Sequence, residues 1–76
     1  MYSSIAPALK SEVIHFLKRD AGFDNTPVVT VLFNNDGYII TYVGPVTSIS
    51  AFGVTPGNAY QEFVDQWALR KQRREL

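Results

Sequence analysis

The chain reads as an α+β domain of order α-β-β-β-α, a three-stranded antiparallel meander with two helices on one face. Apolar residues recur at helical spacing near both ends. Between them, β-branched and aromatic runs are punctuated by Asn-Asp-Gly and by Gly-Pro. Seventy-six residues leave room for one core, so residues 1–76 form a single domain: 1–26 helix and loop, 27–52 sheet, 53–76 helix with a basic end.

Ile5, Leu9, Val13, Phe16 and Leu17 cluster on one arc, with Ile14 at its edge, and predict the first helix. Ser4 is placed to cap it and Pro7 to lie in its opening turn, where a missing N–H costs nothing. Ser11, His15, Lys18 and Arg19 share the opposite arc. The two cations suit the negative end of the helix dipole. Gly22 offers a left-handed stop, after which Phe23 can fold back on the last turn.

"VVTVLFN" from Val28 and "YIITYV" from Tyr38 predict a hairpin. A two-residue Asp36-Gly37 turn would set Phe33 opposite Ile40. A three-residue loop with Gly37 left-handed would set it opposite Ile39. Either way both faces of the hairpin carry large apolar groups, with Val28 and Leu32 on one side and Val29, Val31 and Phe33 on the other. Two helices cover only one face, so the other is expected to meet a partner, most simply a second copy. Gly44-Pro45 ends the second strand, and Val46–Phe52 reads as a third, with Ser48 and Ser50 turned away from Ile49 and Ala51.

"FGVTPGNAYQEF" raises the question of a phosphate loop. Such a loop needs a nearby cation, and the nearest in sequence is Arg70. Thr55 followed by Pro56 reads instead as a cap with proline at the first helical position, and Asn58 with Gln61 as a second capping box. Ala59, Tyr60, Phe63, Val64, Trp67 and Ala68 then form the core stripe. Past Ala68 the same arc continues as Arg70, Lys71 and Arg74, so the last turns are expected to run off the body into solvent or onto something acidic.

Formal charges cancel, but unevenly. Residues 1–19 carry +2, residues 20–69 carry −5 without one lysine or arginine, and residues 70–76 carry +3. An acidic middle between basic ends predicts a basic partner protein, with Asp24, Asp36, Tyr38 and Tyr42 as candidate contacts, a place in the core being the alternative for the two tyrosines. Arg70, Lys71, Arg73 and Arg74 are the candidates for an acidic surface or nucleic acid. The element order is that of the double-stranded-RNA-binding domain, but the cations lie at the far end of the last helix from the lysines that family uses, so nucleic acid is not favoured.

With no cysteine there is neither a disulfide framework nor a thiolate metal site. The carboxylates are scattered, Ser48 and Ser50 have no activating base in sequence reach, and His15 sits among cations on a polar helix face. No catalytic residue, metal or cofactor is expected, and the chain reads as a non-enzyme. No apolar run approaches a membrane span and no export signal is legible, which makes a cytoplasmic location the default expectation.

Residues 27–67 resemble the N-terminal domain of HicB-like antitoxins. Asp36, Gly37 and Tyr38 match that family's acidic-Gly turn, Pro45 its loop, and Gly53, Thr55 and Ala59 its Gly-x-Thr-x-x-x-Ala helix start. The chain departs in opening with 26 residues before the strand, and in placing Gly57-Asn58 where the family has an acidic pair. No DNA-binding segment is legible before Leu76. The resemblance implies a partial ribonuclease-H-like sheet without catalytic residues, in a bacterial or phage regulator that dimerises and grips a protein rather than an operator.

Overall fold

An apolar residue every three to four positions builds the first helix, α1, over Tyr2–Ala21. The computed structural model describes residues 2–22, 26–45 and 47–74, with α1 side chains from Pro7 onward. The expectations for the Ser4, Ile5 and Phe23 side chains and for Asp24 and Val46 lie outside these residues. Leu9, Val13 and Leu17 are buried, and Phe16 and Ile14 pack half-buried against the same core. The helix begins two residues before the expected Ser4 cap, so Pro7 lies inside it rather than in its opening turn. There the ring lacks the N–H that would return to the carbonyl one turn earlier. Gly22 stops the helix as expected, at φ 69° with its N–H on the Lys18 carbonyl.

Strands β1 (Val28–Asn34), β2 (Gly37–Val43) and β3 (Ser48–Gly53) form an antiparallel sheet in the order β1-β2-β3. The hairpin register differs from both expectations: Phe33 faces Tyr38, and the tip is Asn35-Asp36. The Asn34 side chain decides this. Its Oδ1 accepts the N–H of Asp36 at 2.8 Å and of Gly37 at 3.0 Å, closing the turn one residue early. Gly37 is therefore the first residue of β2. At φ 150°, a Cβ there would collide with the Gly53 carbonyl of β3.

Helix α2 spans Pro56–Gln72 and starts as the first of the two capping expectations had it. Thr55 Oγ1 accepts the Asn58 N–H at 3.1 Å, with Pro56 at the first position. Gly53 is the most closely approached of the glycines: any side chain there would strike the Asn58–Ala59 backbone. That contact lets the helix turn directly back over the strand it follows. α1 packs chiefly on β1 and α2 on β3, both on one face of the sheet. Between them lie Val29, Tyr38, Ile40, Tyr42, Ile49 and Ala51 from the strands, and Ala59, Phe63 and Trp67 from α2. Edge-on ring contacts of Tyr42 with Phe63 and Trp67, and of Phe16 with Tyr60 and Trp67, knit the layers.

Candidate interaction surface

Side-chain alternation sends the other half of the sheet outward, and the observed register arranges that half in rows. Leu32, Ile39 and Phe52 stand side by side across the three strands, as do Thr30, Thr41 and Ser50, and then Val28, Val43 and Ser48. Val28 is 63% exposed, Leu32 57%, Val43 53% and Phe52 48%. An apolar row, Leu32–Ile39–Phe52, and a valine pair ended by Ser48 thus flank a hydroxyl row, and no residue in any of them is charged. Val54, just past β3, extends the apolar surface at the hairpin end. The sequence had placed Val28 and Leu32 on this face. Their neighbours Ile39, Val43 and Phe52 were missed because naming them needs the register that Asn34 sets.

Two of the proposed contact residues are corrected by burial. Tyr38 and Tyr42 point into the core beneath the helices and offer nothing to a partner on the surface. Burial also raises the Tyr42 phenol above its ordinary value of 10.0. Asp36 is exposed at the hairpin tip, as expected. On α2, Glu62 and Asp65 border a shallow groove with Phe52, Gly53, Val54, Asn58 and Gln61, so acidic and apolar groups meet beside the end of β3.

The four C-terminal cations do not form one outlying patch. Arg70 turns back to give its Nε–H to Thr47 Oγ1 at 3.2 Å. Lys71 Nζ lies 3.2 Å from Asp20 Oδ2, the same oxygen that accepts the Trp67 indole N–H at 2.7 Å. The indole bond, then Lys71, holds the Asp20 carboxyl below its ordinary value of 3.8, while partial burial opposes them. Arg73 caps α2 through its backbone N–H on the Leu69 carbonyl, and Arg74 follows in the left-handed region at φ 62°. The expectation that the last turns leave the body therefore fails for Arg70 and Lys71. The tertiary partners Thr47 and Asp20 sit where the sequence could not show them.

His15 is exposed and shares a shallow depression with Ser11, Glu12, Arg19 and Tyr60. Among the described residues, no group of three or more His, Cys, Asp and Glu is arranged to hold a metal. No helix is long and apolar enough to cross a membrane, again among the described residues.

Compared with protein-family models, with curated proteins and with solved structures, the chain gives no significant match. The HicB-like resemblance thus rests on its motif residues alone, and the fold accounts for several of them locally. Thr55 caps α2, Gly53 and Ala59 allow its close approach, and Gly37 clears the Gly53 carbonyl.

Proposed function

We propose that this chain is a small non-enzymatic protein-interaction module. It pairs with a second copy back to back through the outer face of its sheet and presents an acidic end to a basic partner protein. The observation that carries this reading is the uncharged, row-patterned outer face. Such a face complements itself. A two-fold axis lying between the sheets along the strands sets each flanking row on its own copy. An axis across the strands sets the Leu32 row on the Val28 row. The Thr30–Thr41–Ser50 row meets itself in both cases, and hydroxyls both donate and accept. No charge is desolvated in either arrangement.

Size sets the strength. Three strands of this length cover about 14 Å by 23 Å. With Val54 and the rim, a pair comes near the lower limit of about 1,000 Å² for a specific interface, which makes the dimer concentration-dependent. The expected result is a monomer–dimer equilibrium in sedimentation velocity, moved to monomer by Leu32→Ser with Phe52→Ser while the helical circular dichroism is kept. A wild-type chain that stays monomeric at about 1 mM contradicts the pairing.

Asp36 stands exposed at the hairpin tip, and Glu62 and Asp65 border a groove with the apolar Phe52 and Val54. That chemistry fits a basic segment carrying apolar side chains. An antitoxin-like or accessory regulator of bacterial or phage type would work in this way, cytoplasmic and in the HicB-like manner. The partner reading predicts that a protein captured by the wild type is lost when those three acids become lysine. Capture undiminished by the charge reversal removes it.

A further inference from the structure

The two edges of the sheet are treated differently. On β3, Gln66 of α2 donates from Nε2 to the Ser50 carbonyl at 3.1 Å, and Arg70 reaches Thr47 just before the strand. Side chains of α2 thereby bond that edge at Ser50 and just ahead of it. β1 is the other edge, and among the described residues it carries none of the devices that blunt one. Its seven residues, VVTVLFN, include no charge and no proline, and its ladder with β2 runs through all seven without a bulge. Five of the seven are exposed. A row of outward N–H and C=O groups on so β-prone a strand is a template for one more strand.

We propose that this strand is β1 of a second copy, running antiparallel with Val31 opposite Val31, so that two three-stranded sheets merge into one of six. The register follows from two constraints. Inner-face residues must lie opposite inner-face residues, since a slip by one residue would send every side chain to the wrong side. Odd-numbered positions of β1 are the inward ones, so paired numbers must sum to an even value. Among those registers, centring on Val31 engages the whole strand Val28–Asn34. The next in-phase registers, centred on Thr30 or Leu32, each leave two residues of the strand without an opposite. In the favoured one Val29 lies beside Phe33 across the seam, which continues the inner apolar row. Thr30 lies beside Leu32 on the outer face. The outer surface stays free, so this pairing is independent of the back-to-back contact.

The absence of cysteine makes the test direct. Opposed residues of an antiparallel pair have Cα atoms about 4.5–5.5 Å apart, within the span of about 4.4–6.8 Å that a disulfide bridges. Val31→Cys replaces a half-buried side chain by a similar small apolar one. On mild oxidation it is expected to form a covalent dimer at least about tenfold faster than Gln72→Cys, a collision control at the exposed end of α2. Thr41→Cys, at the centre of the outer face, reports the back-to-back contact separately. Equal rates for Val31→Cys and Gln72→Cys overturn the edge pairing, and fast linkage of Thr41→Cys in that case leaves the proposed function standing. Fast linkage of Val31→Cys with slow linkage of Thr41→Cys supports the edge and removes the face.

Discussion

The same three strands make two apolar surfaces, and one of them is dry. On the inner face Ile40 and Ala51 are fully buried, whereas Val28 and Leu32 on the outer face keep more than half of their surface in water. Residue type does not separate the faces, since valine, isoleucine and phenylalanine occur on both. What separates them is where the two helices are tethered. α2 leaves β3 over the Gly53–Ala59 contact and can reach only one side. α1 then fills the remaining half of that side above β1. Apolar patterning alone therefore says that a sheet has two sticky faces. Only the connections say which one the chain covers for itself.

The largest expected effect lies at the centre of the covered face. Phe63 is fully buried against Tyr42, so Phe63→Ala is expected to cost about 3–5 kcal/mol. In a domain this small that loss removes most of the stability, read as the collapse of a cooperative thermal transition. A cost below about 1 kcal/mol would mean that the covered face is not the core.

A smaller effect belongs to the rim where α1 and α2 meet. Asp20 holds both the Trp67 indole and Lys71 on one oxygen. Its folded carboxyl titrates below the ordinary value, so its contribution is present above pH 4 and is lost as pH falls through the lowered value. Solvent screens the Lys71 partner, which leaves about 1 kcal/mol, mostly from the indole bond. Asp20→Asn is expected to lower the melting temperature at pH 7 and to lose that difference near pH 2. A difference that persists in acid would assign the effect to packing instead.

The smallest effect is expected on the open face. Leu32→Ser with Phe52→Ser removes apolar groups that remain about half in water, so the isolated monomer is expected to lose less than about 1 kcal/mol by chemical denaturation. The same double change abolishes the back-to-back pair. Loss of pairing with little loss of monomer stability sharpens the contrast between the faces. Equal losses on both would erase it.

Much of this was legible in the residues. The Leu9–Val13–Leu17 stripe, the Gly22 stop and the Thr55-Pro56 start each follow from short-range rules and stand as expected. The hairpin register was not legible, because Asn34 and Asp36-Gly37 offer competing turns of similar quality. Asn34 prevails by accepting two backbone N–H groups, and Gly37 is then needed beside Gly53, sixteen positions away. Tyr38 and Tyr42 were misplaced as contacts for a related reason. A strand tyrosine looks the same in sequence whether a helix lies over it or water does.

By itself the sequence determined the order of elements, the Gly22 stop, the Thr55 cap and the two-sided apolar character of the sheet, since these depend on neighbours within about a turn or a hairpin. The tertiary structure alone decided which side is covered, which edge α2 clamps and which cations are tied down. Those outcomes depend on contacts such as Lys71 with Asp20 and Gln66 with Ser50, between groups far apart along the chain. Their energies arise only once the helices have closed over the sheet.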